Sequence, residues 1–298
     1  MTPAGPESPS APWKLVGAAI GWSVVFGVIA LVVAAGLSLL AAIAATGSLD
    51  QAAEWLVVLG PGQMGVQGVA ALFGGLAATY LIGVRRFRMA AADLRWRQVL
   101  PPFKGFAVGL MFGVGPAAAV LLVPVLLGSG RWLAGNEGLG AFFVWGGGMG
   151  LVLAPAALAE EVLFRGVPLV LLAAAMGRGT AVLVVAVIFG LAHLFNPNVT
   201  ALGVANVALA GILLGTVFYG PGGMWAAFGA HLGWNATLAV LGAAVSGLPF
   251  DVPSLDYEAG GPEWLTGGSF GPEGGMLATL ALALAVVVAA RGWRSTER

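Results

Sequence analysis

The sequence contains no cysteine, which removes disulfides, thiol nucleophiles and cysteine-based metal sites together. Charge is nearly as scarce. Only 9% of the 298 residues are Asp, Glu, Lys or Arg, whereas a soluble domain uses about 25% to cover its surface. The thirteen bases and thirteen acids cancel to a net charge of zero, so there is no electrostatic footprint for nucleic acid. No internal repeat and no soluble second domain is visible. Gly146-Gly147-Gly148 lacks the strand-then-helix context of a phosphate loop and reads as a packing or flexing site.

What remains is apolar. The apolar share is 59% and the mean hydropathy is +0.96, and runs of twenty or more uncharged residues recur. Each can cross a hydrocarbon core of roughly 30 Å as a helix. The expected fold class is an all-α integral membrane protein, with about eight transmembrane helices in one bundle around a polar intramembrane catalytic cavity. The spans fall near 15–46, 65–84, 105–127, 139–177, 180–197, 199–219, 223–247 and 275–290. Residues 1–13, with four prolines, read as a flexible N-terminal tail, and 14–298 as a polytopic membrane domain. The run from Leu15 to Gly47 exceeds a signal-peptide core of about 7–15 residues and reads as a retained helix. Gly-rich and Ala-rich faces suit close helix packing in lipid.

Orientation follows from Lys and Arg in the short connections. The 85–104 connection carries Arg85, Arg86, Arg88, Arg95, Arg97 and Lys104 against Asp93 alone, which predicts a cytoplasmic loop. The 248–274 connection carries Asp251, Asp256, Glu258, Glu263 and Glu273 and no base, which predicts the outer side. Arg291, Arg294 and Arg298 draw the C-terminus inside. Parity then requires 139–177 to be one long helix, kinked at Pro155, Gly166 or Pro168. The expected location is the cell membrane, multi-pass, with both termini cytoplasmic.

That fourth helix contains Glu160-Glu161-Val162-Leu163-Phe164-Arg165. An ionised side chain at the bilayer centre costs at least about 2.5–3.5 kcal/mol, so three in six residues require partners or a purpose. Glu161 and Arg165, four apart, can pair on one helix face. Glu160 then points about 100° away and is free for another task. A purely structural ion-pair cluster is the plainer alternative. The chain has only two histidines, both within expected spans, in Phe189-Gly190-Leu191-Ala192-His193 and His231-Leu232-Gly233-Trp234-Asn235. The spacing stacks Phe189 over His193 and Asn235 over His231. Together such groups can hydrolyse a peptide. A glutamate in an apolar cavity serves as base, one imidazole holds the same water, and a second imidazole and a carboxamide donate to the oxyanion.

Glu-Glu-x-x-x-Arg, Phe-x-x-x-His and His-x-x-x-Asn, in this order on separate helices, resemble the CAAX-processing and bacteriocin-processing family. These are the ABI-type intramembrane proteases that include the eukaryotic type II CAAX prenyl endopeptidase. The resemblance covers about 139–247, and the eight-helix count agrees with the family's best-known members. Val167 to Met176 departs from relatives in being wholly apolar. The resemblance implies an intramembrane endopeptidase in which Glu160 activates water shared with His193. His231 and Asn235 would form the oxyanion hole, with Glu161 and Arg165 supporting the site. Helix geometry agrees in separating the carboxylates, because one committed to arginine is a poor base.

No cofactor is the favoured expectation. Zinc held by Glu160, His193 and His231 is the alternative, although two histidines four apart on one helix with a glutamate between, the usual catalytic signature, are missing. The expected partners are membrane lipid and a peptide or protein substrate, lipidated or not. Two rival functions are a proton- or cation-coupled transporter using Glu160 and Glu161, and a catalytically silent membrane scaffold or immunity protein of the same fold. Against the transporter, no inverted repeat or pair of broken helices is apparent. Asn206 reads as an interhelical hydrogen-bonding residue and Asn196-Pro197-Asn198 as a turn.

Overall fold

The computed structural model describes residues 12–58, 60–135, 137–250 and 255–294. Residues 1–11 of the expected tail lie outside them, as do Asp251 and Arg298, two of the charges used for orientation. Helices α1 (Pro12–Thr46), α2 (Leu49–Val57) and α3 (Pro61–Ala78) come first, α3 continuing as a π-helical segment over Thr79–Arg86. Then follow α4 (Pro102–Leu126), α5 (Leu139–Arg165), α6 (Val167–Met176), α7 (Arg178–Ala192), α8 (Ala201–Phe218) and α9 (Gly223–Val240). The short α10 (Glu263–Thr266) precedes α11 (Met276–Arg294). The strand content is slight. β1 (Gly130–Ala134) pairs antiparallel with β2 (Leu255–Ala259), Gly130 facing Ala259.

Five helical stretches are long and apolar enough to cross a membrane: Pro12–Thr46, Pro61–Arg86, Pro102–Leu126, Leu139–Met176 and Ala201–Phe218. The sequence of α1 explains its role. It exposes Val28, Leu31, Val32 and Leu40 and buries little beyond Ala19, Phe26, Ala30 and Ala42, which in water would be untenable and in lipid is ordinary. Two shorter apolar stretches are Arg178–Ala192, which is α7, and Met276–Gly292 within α11. Helix α9 has 18 residues and carries His231, Asn235 and Thr237, and its burial among other helices makes these polar groups tolerable.

Three expectations need correcting. The stretch expected as one kinked helix over 139–177 is two helices, α5 and α6, meeting at Gly166, whose ψ of −128° is not helical. Pro155 sits inside α5 without ending it, whereas Pro168 opens α6. A proline ring fits the first turn of a helix at no cost, whereas inside a helix it removes one backbone hydrogen bond and bends the helix without having to end it. The fifth span ends at Ala192, so His193 is the C-cap of α7 rather than an interior residue. The turn read at Asn196-Pro197-Asn198 follows directly, with Asn198 at φ 53°. The seventh span ends at Val240 rather than 247, and the chain then folds back over the bundle.

The closest helix pair is α4 against α9, and glycine makes it so. Gly105, Gly109 and Gly113 line one face of α4 at four-residue spacing, and added methyl groups at Gly109 and Gly113 would collide with the carbonyl oxygens of Ala226 and Ala230. Reciprocally, Gly229 and Gly233 lie against the backbone of Phe106 and Leu110. Backbones approach this closely in lipid only where side chains are absent. Since α9 carries His231 and Asn235, this seam fixes their depth and rotation. Gly109→Val should lower stability by about 1–3 kcal/mol through overpacking, read as an earlier thermal unfolding in detergent. Gly115→Val, where an added methyl meets nothing within 4 Å, should leave the unfolding temperature unchanged.

The outer segment after α9 is held by specific bonds. Trp132 donates to Leu241 O at 3.0 Å, and Gly247 N donates to Phe270 O at 2.9 Å. Asn196 Nδ2 donates to Ser246 O at 2.8 Å. Asn206, read as an interhelical residue, joins α8 to the start of α11: its Nδ2 donates to Glu273 O and Gly275 O, and its Oδ1 accepts from Thr279. The Arg131–Glu258 ion pair on the ribbon is exposed on both sides and contributes about 0–1 kcal/mol.

Candidate active site

Glu160, Glu161 and Arg165 occupy the last turns of α5 and face two ways. Glu161 Oε1 accepts from Arg165 Nη1 at 2.9 Å, with both side chains fully buried. The guanidinium also donates to Gly211 O at 3.4 Å and lies 4.4 Å above the Phe189 ring. This ties α5 to α7 and α8 through one side chain. Glu160 points instead into a cavity of about 370 Å³. Its Oε2 is buried and has no protein hydrogen-bond partner among the described residues. Such an atom is costly in an apolar interior unless something in the cavity uses it.

The two histidines differ in what stands behind Nδ1. His231 Nδ1 lies 2.8 Å from Glu161 Oε1, the oxygen that also accepts from Arg165. A carboxylate only accepts, so Nδ1 carries a proton. His231 can take a second proton on Nε2, its charge matched by that carboxylate. Nε2 sits 3.8 Å from Glu160 Oε2, too far for a direct hydrogen bond but near enough for both to touch one bound molecule. His193 Nδ1 lies 2.8 Å from Phe189 O. A carbonyl also only accepts, so Nδ1 is again the protonated nitrogen, and the neutral ring keeps the Nε2 lone pair. No carboxylate backs this ring. His193 is therefore built to accept at Nε2 and His231 to donate there.

Phe189 packs edge-on against both rings, at 4.8 Å from His193 and 5.9 Å from His231, and against Phe164 at 5.0 Å. The Phe-x-x-x-His spacing thus supplies the wedge between the histidines. Asn235, one turn beyond His231 on α9, completes the set. Glu160, His193, His231 and Asn235, from three helices, all line the same cavity, while Glu161 and Arg165 lie behind it.

Residues 144–237 match the family model of the type II CAAX prenyl endopeptidase, Rce1-like. That match covers about a third of the chain and is to a family of intramembrane CAAX endopeptidases. The matched segment contains all six residues singled out from the sequence and ends within α9, just past Asn235. No curated protein and no solved structure matches the chain.

Zinc was the alternative expectation, on Glu160, His193 and His231. Among the described residues no three His, Asp or Glu side chains are grouped so that they could hold a metal ion.

Several cavity residues escaped the sequence reading. Asn196 and Ser246 line the wall. So does Glu273, counted from sequence as an outer-loop charge but in fact buried in a single-turn helix before α11. A usable signal existed: Glu273 is the only charge between Trp264 and Ala290, which is the pattern of a membrane-embedded acid rather than a solvated loop.

Proposed function

We propose that this protein is a metal-independent intramembrane endopeptidase in which Glu160 and His193 activate water and His231 and Asn235 bind the oxyanion. The reading rests on one observation above all: an unpartnered buried oxygen of Glu160 shares a cavity with one histidine suited to accept and another suited to donate. The match of residues 144–237 to a peptidase family model supports the reaction class.

Water oxygen attacks the scissile carbonyl carbon as Glu160 takes its proton, with His193 Nε2 accepting from the same water to fix its direction. The carbonyl oxygen becomes an oxyanion that accepts from His231 Nε2–H and the Asn235 carboxamide. Collapse expels the amine, to which Glu160 returns the proton. The products are a carboxylic acid, which keeps the second water proton until it passes to the amine, and that amine, and no covalent enzyme intermediate forms. Glu161 and Arg165 act through His231: the carboxylate fixes the Nδ1 tautomer and matches the imidazolium charge, and the guanidinium holds the carboxylate. The substrate is a peptide or protein at the membrane. Its first test is comparative proteomics of a wild-type strain against one carrying Glu160→Gln. A single membrane-associated precursor should accumulate in the mutant, and identical proteomes would contradict the proposal.

The same reading carries a topology. Eight crossings, with α5 and α6 sharing one, put both termini and the arginine-rich 85–104 connection in the cytoplasm. Periplasm-active reporter fusions should be active at Gly135 and Gly260 and silent at Leu94 and the C-terminus. An active C-terminal fusion would overturn the eight-span arrangement.

A further inference from the structure

Glu273 is the second carboxylate of the catalytic cavity, and the hydrolysis has no use for it. It is 6% exposed and lines the same wall as Trp234 and Ser246. Its Oε1 accepts from Trp234 Nε1 at 2.8 Å, and its Oε2 accepts from the Ser246 backbone N–H and from Ser246 Oγ at 2.9 Å. The indole and the backbone amide can only donate, so both oxygens act as acceptors, an arrangement that favours the carboxylate over the acid. Of its roughly four lone-pair sites three are engaged and one remains. No Lys or Arg lines the cavity, and among the described residues no cation pairs with Glu273.

A structural pin would not need this charge. The segment is already fastened by Asn206 to the backbone of Glu273 and Gly275, by Asn196 to Ser246 O and by Gly247 N to Phe270 O. An ionised group held inside a membrane protein by neutral donors alone is an expensive fastening and marks a functional position. The rest of the nearby wall, Val245, Leu248, Phe250 and Leu282, is apolar, so the field of Glu273 meets little competing polarity there.

Resting on the peptidase reading, we propose that Glu273 is a specificity-determining residue that selects a substrate with a cationic side chain near the scissile bond and disfavours one with a carboxylate there. The cation would take the free lone pair of Glu273 and neutralise its charge, while an acidic residue would face two carboxylates, Glu160 and Glu273, at once.

The test uses purified full-length protein in neutral phosphatidylcholine liposomes and a positional library of apolar dodecapeptides. Each peptide carries Lys, Gln or Glu at one position, and kcat/KM is measured for cleavage. Wild type should favour Lys over Glu at least tenfold at one or two positions flanking the cut. Glu273→Gln should reduce that ratio below threefold. Ser246→Ala, which removes one donor and keeps the charge, should retain the preference and guards against a Glu273→Gln protein that fails to fold. A wild-type enzyme that cleaves Lys and Glu peptides equally would overturn the proposal, as would a Glu273→Gln enzyme that slows all peptides alike with the ratio intact. A wild-type protein that cleaves no peptide would overturn the peptidase reading itself, and this inference with it.

Discussion

Arg165→Ala should unfold the bundle core, with a loss of about 3–5 kcal/mol, because it leaves a buried carboxylate without its cation. The geometry explains the size. Arg165 and Glu161 are both fully buried, and the guanidinium also reaches Gly211 O and covers the face of Phe189. Removal of the side chain also opens a cavity beneath the aromatic wedge that separates the histidines. The expected readout is a thermal unfolding transition in detergent lowered well beyond that of any surface arginine, with activity lost alongside. Arg131→Ala gives the comparison, since its ion pair to Glu258 is exposed and should leave the transition in place. Glu161→Gln should fall between them, because a carboxamide can still accept from His231 but no longer matches two cationic partners.

Glu160→Gln should abolish cleavage while the protein folds and inserts normally. The substitution preserves shape and volume, and among the described residues Glu160 Oε2 has no hydrogen-bond partner. What disappears is the base that takes the water proton, a contribution of roughly 10²–10⁴ in rate. Asn235→Ala removes one of two oxyanion donors and should cost roughly 10²–10³ in kcat. The pattern, activity without stability at Glu160 and both together at Arg165, separates the cavity face of α5 from its buried face.

Local helix geometry is why the carboxylates could be told apart from sequence. A spacing of four dictates that Glu161 and Arg165 meet and that Glu160 does not join them, whatever surrounds the helix. The same logic put Phe189 against His193. Longer-range facts were less accessible. Three residues could have broken the fourth run, and Gly166 with Pro168 does so while Pro155 does not, a choice made by neighbouring helices. The role of Glu161 as the backing for His231 depends on how α9 is placed against α5, and the α4–α9 glycine seam that fixes α9 was legible only as a general richness in small residues. Glu273 was misread because charge counting treats every connection as solvated, whereas this one folds inward and buries its acid. The i,i+4 contacts of Glu161 with Arg165 and of Phe189 with His193 were anticipated, whereas the burial of Glu273 within a connection read as solvated was not.

The central claim is that Glu160, not Glu161, carries the proton of the attacking water. It is tested most directly by measuring cleavage of the accumulated precursor by wild type, Glu160→Gln and Glu161→Gln, each purified and reconstituted in liposomes with its unfolding temperature recorded. The account predicts a Glu160→Gln protein that is silent and as stable as wild type, beside a Glu161→Gln protein that is slowed and less stable. Near-normal turnover by Glu160→Gln, with Glu161→Gln inactive and fully stable, would contradict it.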